Sequence, residues 1–323
     1  MRFFLDLPPA PYRPFQMRLR DLAELLLLGA LWGASFPFMR VAAPELSPLP
    51  LIEMRLGLAA LVLLPIVAVR TGLPAFKPVW RPVAFVGVTN SMVPFCLFAF
   101  GALHLTSGML AILNATAPLW TAIIAWAWLR ERLTAWRVAG LVIGFLGVAL
   151  LMGDRAAMKT DMAVWAMLAC LAAALCYGVA GNYTRRHLTG VDPLLVAAGS
   201  QVAAALVLLP FALAAWPTTP VSTRAWLATL ALALASTALA YALYFRLIAR
   251  LGISRAITVT YLIPAFGMLW GNLFLAEPFT VHMLGGCLVI LVGIALATGM
   301  LGPRAGATTA LTANPPGTEK AQG

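Results

Sequence analysis

The heptapeptide AALVLLP occurs twice, at residues 59–65 and again at 204–210. Either it is a coincidence in a chain rich in Ala and Leu, or it marks two copies of one unit, and the neighbouring residues decide which. At the same offset of 145, Pro48-Leu49 aligns with Pro193-Leu194, Trp32-Gly33 with Tyr177-Gly178, and Arg40 with Arg185. Further along, a one-residue insertion makes the offset 146. Leu105 then meets Leu251, Pro118 meets Pro264, Glu131 meets Glu277 and Thr134 meets Thr280. Gly140, Gly147 and Gly153 fall on Gly286, Gly293 and Gly299. An apolar chain repeats seven letters by chance far more readily than it aligns Pro, Glu, Thr and Gly in one register. The sequence reads as two copies of one unit.

Composition fixes the solvent. The 323 residues are 62% hydrophobic and 10% charged, with a mean hydropathy of +0.92. A soluble domain carries about a quarter of its residues charged, and a membrane span needs about 20 mostly apolar residues. Apolar runs fill the chain from Leu22 to Leu301, which excludes a single soluble core. The net charge of +11 sits between those runs, so it reads as membrane topology and not as a nucleic-acid surface. Cys96, Cys170, Cys176 and Cys287 lie inside the runs without CxxC spacing. They suggest neither a disulfide framework nor a metal site, and no cofactor is expected. Prolines and Asp6 interrupt the first 20 residues where a signal peptide needs an unbroken apolar core; a retained N-terminal tail over 1–21 is expected. The stretch 302–323, rich in Thr, Ala, Gly and Pro, reads as a disordered tail.

Charges, Pro and Gly divide the chain into ten candidate helices: 22–41, 48–69, 83–103, 108–129, 137–153, 162–183, 192–215, 225–246, 253–274 and 281–301. The fold class expected is an all-α membrane protein. With both termini inside, 17 of the 22 Lys and Arg are cytoplasmic. Arg40, Arg155, Lys159 and Arg224 fall on the other side, and Arg55 lies within a span. That asymmetry obeys the positive-inside rule. Five helices per unit is an odd number, so the second copy (162–301) must enter the membrane upside down relative to the first (22–153). LRERLTAWR, between helices 4 and 5, carries three arginines; its counterpart LAEPFTVHM has Ala276, Pro278 and Met283 in their places. Inverted repeats with a site between them are a transporter architecture.

GALWGASFPFMR in the first helix, and ATAPLW…ERLTAWRVAGLVIGFLGVALLMG with its copy IPAF…AEPFTVHMLGGCLVILVGIALATG, resemble the drug/metabolite transporter superfamily, specifically its ten-helix EamA-type exporters. The resemblance covers about residues 22–301. It implies secondary transport of small metabolites, often outward, and a location in the bacterial cytoplasmic (inner) membrane. It also implies a central cavity formed mainly by helices 1–4 and 6–9, with helices 5 and 10 peripheral. One departure is Pro278, which follows Glu277 where the first copy has a basic residue.

Several residues are candidates for the substrate pathway. Pro94, Pro118 and Pro264 each remove a helical hydrogen bond and should kink their helices. They free the carbonyls of Asn90, Asn114 and Thr260, which carry polar side chains too. These three either line a wet cavity or bond across helices. Thr237, Tyr241 and Tyr244 share one helical face. With Tyr261, and with Trp32 and its mate Tyr177, they could wall a site for an amphipathic solute, or serve as packing and interfacial aromatics. Arg55 could bind a substrate carboxylate or pair with a neighbouring helix, and Glu53 could carry protons. They are two residues apart, so they cannot face each other on one helix. Glu24 follows Arg20 by one turn and reads as its surface partner. Gly140, Gly144 and Gly147, with Gly286 and Gly293, read as sites of close helix packing. A channel or scaffold, or an intramembrane enzyme, is the competing function class. The chain has no HExxH, GxSxG, intramembrane aspartate pair or nucleotide-binding motif. The partners expected are a small-molecule substrate, the lipid bilayer and protons.

Overall fold

A computed structural model describes residues 19–153 and 162–300; the tail expected at 302–323 and most of that at 1–21 lie outside them. The described residues are all-helical. Eight helices are long and apolar enough to cross a membrane: α1 (Leu19–Leu46), α2 (Pro48–Arg70), α3 (Trp80–His104), α4 (Ser107–Leu129), α5 (Ala135–Met152), α6 (Ala163–His187), α7 (Pro193–Ala214) and α8 (Thr223–Leu251). Two shorter apolar helices follow, α9 (Ile263–Leu275) and α10 (Val281–Ala297). The run expected to be one helix over 253–274 is broken. A short helix at Ile253–Ala256 and a 3-10 segment at Ile257–Tyr261 precede α9. The break falls where Pro264 cannot donate, so Pro264 takes the second position of a new helix, where no hydrogen bond is lost.

The same device recurs. Pro118 is second in the helical segment Ala117–Leu129, after a break at Ala115–Thr116. Pro94 is second in Val93–His104, after a π-helical turn at Val88–Met92. The second half repeats that π turn at Leu234–Leu239 without any proline. There the Thr237 hydroxyl donates to the Leu232 carbonyl five residues back, at 2.8 Å, and satisfies a group the wider turn releases. Helix starts follow ordinary capping chemistry. Thr134 and Thr280, mates in the repeat, accept from the Arg137 and Met283 amides at 3.4 and 3.1 Å. Helix ends match too: Arg130 and Ala276 both take left-handed backbone, with φ of 56° and 53°.

Packing partners are drawn across the halves. α2 lies on α7, α5 on α10, α4 on α9, α1 on α8 and α3 on α6. Exchanging each helix with the one five places away maps this set onto itself. The glycines of α5 and α10 meet each other within one chain. A Cβ on Gly147 would fall 2.9 Å from the Ile290 amide nitrogen and 3.0 Å from the Gly286 carbonyl, and one on Gly140 would lie 2.6 Å from the Gly293 carbonyl. Large apolar side chains such as Leu61, Leu146, Leu206 and Leu288 point outward and are exposed, as expected for a surface solvated by lipid.

Adding a β-branched side chain at this contact must push two backbones apart. Gly147→Val should lower stability by about 1–3 kcal/mol, whereas Gly285→Val, where a Cβ meets nothing within 4 Å, should change it little. Thermal unfolding of the two purified variants in one detergent checks the contrast.

Candidate substrate pathway

A polar and aromatic cluster sits where α2 and α3 face α6, α7 and α8. Arg55, on α2, is 5% exposed. Its Nε donates to Thr237 Oγ1 at 2.9 Å, and its guanidinium carbon lies 3.6 Å from the centre of the Phe95 ring. Tyr177 and Tyr241 lie near the same guanidinium. Tyr241 also faces Ser91 and Gln201, and Gln201 Nε2 donates to Ser91 Oγ at 3.0 Å. Tyr177 stacks on Phe98 with ring centres 6.2 Å apart. Side chains of α3, α6 and α8, from both halves, therefore surround one cation of α2, and α7 joins the cluster through Gln201. Tyr244 leads away from it toward Trp32 of α1, at 5.2 Å between ring centres.

Other candidates stand apart. Asn90 lies half-buried on the π turn of α3, and Asn114 lies half-buried at the break in α4. Thr260 spends its hydroxyl on the Ile257 carbonyl at 2.8 Å, and Tyr261 donates to Met300 Sδ at 3.1 Å; their 3-10 segment packs on α1. Glu53, two residues before Arg55 on α2, lies near Cys96 of α3, and among the described residues its Oε2 is buried without a hydrogen-bond partner.

Ion pairs join the two halves near each end of the bundle. At one end Arg40 Nε meets Glu277 Oε1 at 3.2 Å, with side-chain exposures of 14% and 5%. Arg40 also donates to the Ala102 carbonyl at 2.5 Å, and Glu277 Oε2 accepts from the Ser107 amide at 2.7 Å. Close by in the chain, Glu45 accepts from the Ser222 amide and hydroxyl at 2.7 and 2.8 Å. At the opposite end of α4, Arg185 Nη2 meets Glu131 Oε1 at 2.6 Å, with exposures of 54% and 39%. Arg40 is the repeat mate of Arg185, and Glu131 that of Glu277, so each pair takes its Arg from one half and its Glu from the other. A third group joins α1 to α8. Glu24 binds Arg246 at 3.0 Å and Arg250, and Arg250 also reaches Asp21 at 3.3 Å.

The sequence reading had Glu24 as a surface partner of Arg20. The Arg20 contact exists at 3.1 Å, but Glu24 is 8% exposed and serves mainly to hold α1 to α8. Phe95 was missed as a neighbour of Arg55, and Gln201 as a member of the same cluster. Gln201 is the one amide in its apolar helix, which is the signal that could have singled it out. Nothing in the local pattern marks the pairing of Arg40 with Glu277, 237 residues apart.

The profile of the EamA-like transporter family matches this chain twice, over residues 22–153 and 164–299. The chain belongs to the EamA-like transporter family. It is a multi-pass membrane protein, and the two family matches coincide with the two halves whose capping and breaks recur. Among its relatives is the uncharacterized transporter YvbV of Bacillus subtilis, 24% identical over 282 residues, covering 86% of this chain and 91% of that protein. Another is a probable terminal-alkyne amino-acid exporter of Streptantibioticus cattleyicolor, 26% identical over 290 residues, covering 88% and 96%. A solved crystal structure shares the fold with a TM-score of 0.62 at 21% identity, over 88% of this chain and 98% of that one.

Burial separates the two mate pairs of this EamA-like chain energetically. Removing one partner of a desolvated pair strands the other. Glu277→Ala should cost about 3–5 kcal/mol, and Glu131→Ala about 0–1 kcal/mol, since its pair is wet. Thermal unfolding of both variants at matched detergent and salt measures the difference.

Proposed function

We propose that the protein is a secondary active transporter that exports a small polar or amphipathic metabolite, an amino acid or a related compound, by alternating access. In this reading ten helical segments cross the bacterial inner membrane as two inverted five-helix repeats, 22–153 and 162–301, with both termini in the cytoplasm. The Arg40–Glu277 end then faces outward. The Arg185–Glu131 end and the Glu24–Arg250 contacts face the cytoplasm. The chain acts as a carrier and not as an enzyme.

The observation that carries this reading is the exchange of ion-pair partners between the halves. Rocking one half against the other opens one end only by parting an Arg of one half from a Glu of the other. The Arg55 cluster lies between the two closures and is built from both halves, as a site with alternating access requires. Trp32 and Tyr244 extend its wall toward α1. Asn90 and Asn114 supply polar side chains at the irregular turns, where non-helical backbone is tolerated because it lines a cavity. Thr260 and Tyr261 contribute at the turn before α9. Glu53 is the candidate proton carrier, because it is an ionisable side chain inside a span whose Oε2 has no hydrogen-bond partner among the described residues.

The test is an untargeted comparison of solutes inside and outside cells. Cells express the wild type, the Asn114→Ala/Thr260→Ala double variant or no transporter, at matched membrane levels. A solute depleted inside and enriched outside with the wild type alone is the expected result. No difference among the three, with no counterflow in vesicles, overturns the proposal. Once a solute is known, collapsing the proton gradient should reduce its flux in the wild type. In Glu53→Gln the remaining flux should no longer respond. A wild-type flux indifferent to the gradient removes proton coupling.

A further inference from the structure

Arg55 carries a charge that the protein leaves unbalanced. Its Nε is engaged by Thr237, and one face of the guanidinium rests on Phe95. Among the described residues no carboxylate lies within ion-pair distance of it, and its two terminal nitrogens make no hydrogen bond to protein. Arg55 keeps 5% of its surface exposed, so the side chain is not fully enclosed by protein. Glu53 does not balance the charge. Two residues along a helix rotate a side chain by about 200°, and Glu53 lies near Cys96 of α3. The Arg residues that join helices near the ends of the bundle have their acids: Arg40, Arg185, Arg246 and Arg250 are all paired.

The surroundings are equally incomplete. Gln201 is wholly buried. Its amide nitrogen bonds Ser91, but its Oε1 has no partner, and neither does the hydroxyl of Ser236 beside Thr237. Tyr241 lies near both groups of residues, Arg55 and the Ser91–Gln201 pair. A buried cation without an acid is costly, and a ring face with one hydrogen bond recovers only part of that cost. The arrangement is therefore short of an anion, and next to the place for that anion it is short of a donor.

We infer that the Arg55, Tyr241 and Gln201 cluster binds the carboxylate of a monoanionic or zwitterionic organic solute. This rests on the reading of the cluster as the solute pathway. The two free nitrogens of the guanidinium form a planar fork that matches the two oxygens of a carboxylate. One positive charge balances one negative charge, so a dianionic phosphate would leave the site anionic. A cationic solute would meet repulsion from Arg55. Gln201 Oε1 is placed to accept from an N–H that the solute carries near its carboxylate, and the nearby Tyr177 ring offers its apolar part a wall.

Three probes of one shape isolate the charge: benzoate, benzamide and benzylamine, each added to the purified protein in lipid nanodiscs. Benzoate should raise the unfolding temperature in a saturable way, and the two others should not. In Arg55→Met the benzoate shift should vanish. Because that variant removes a buried charge and could repack, Thr237→Asp provides a second arm. It supplies an internal carboxylate beside Arg55, so it should raise the unfolding temperature without ligand and abolish the benzoate shift. An equal response to all three probes overturns the inference, as does a benzoate shift that persists in Arg55→Met. A wild type indifferent to benzoate together with a Thr237→Asp variant no more stable than wild type also overturns it. The cell comparison keeps the two proposals apart. Export of a solute that lacks a carboxylate leaves transport standing and refutes the anion site. Benzoate binding through Arg55 without any flux refutes transport and leaves the site.

Discussion

Hydrocarbon offers no hydrogen bonds, so each backbone amide and carbonyl in a span must find its partner inside the protein. The helices satisfy that demand almost everywhere, and the exceptions organise the molecule. Where α4 breaks, Thr116 donates its hydroxyl to the Leu113 carbonyl at 2.7 Å. At the break between Gly33 and Ser35 of α1, the nearby Ala30 carbonyl accepts from Trp270 of α9 at 3.0 Å. Asn182 of α6 bonds both its own Gly178 carbonyl and the Thr121 carbonyl of α4, at 2.9 and 3.0 Å. Two of these bonds tie helices together by giving a backbone carbonyl a second, side-chain donor from a neighbouring helix.

The same constraint explains why the halves depend on each other. The helix pairs with the closest contacts, α2 with α7 and α5 with α10, join one half to the other. Small residues let α5 and α10 approach until dispersion between backbones replaces a hydrophobic drive that lipid does not supply. Glu277 shows how much structure one side chain can fix. It binds Arg40, caps the start of α4 through Ser107, and its own carbonyl accepts from Asn272 at 2.9 Å. Together these hold Ala276 in a left-handed conformation that an alanine does not favour.

Much of this was legible in the sequence, because apolar runs and turn residues are local signals. The bounds of α2, α4 and α7 lie within a residue or so of those read from the pattern. The glycines of α5 and α10 could be assigned to close packing, though not to each other. The break before α9 was less legible: Pro264 signals a kink, but the 3-10 geometry upstream depends on what α1 presents to it. The π turn of α8 had no proline to announce it. Around Arg55 the sequence identified the cation, Tyr177, Thr237 and Tyr241 as candidates. It could not convey that, among the described residues, no acid stands opposite, since an absence of partners is a property of three-dimensional space. The ion pairs at the two ends were hidden for the same reason. Their residues were visible as repeat mates, and the exchange of partners appeared only once the halves were placed together.

That exchange bears on how such a molecule acquires a direction. Two identical subunits in an antiparallel pair would hold two identical Arg–Glu contacts, one at each end, and any change to one would be copied in the other. A single chain carrying both copies is free of that symmetry. Here the two contacts have diverged: one carboxylate is 5% exposed and shared with a helix start, while its mate is 39% exposed and meets water. Joining the copies in one polypeptide lets the two doors be weighted separately. In the proposed alternating-access carrier, unequal doors bias how long it waits on each side of the membrane, while the direction of net flow stays with the gradients that drive it.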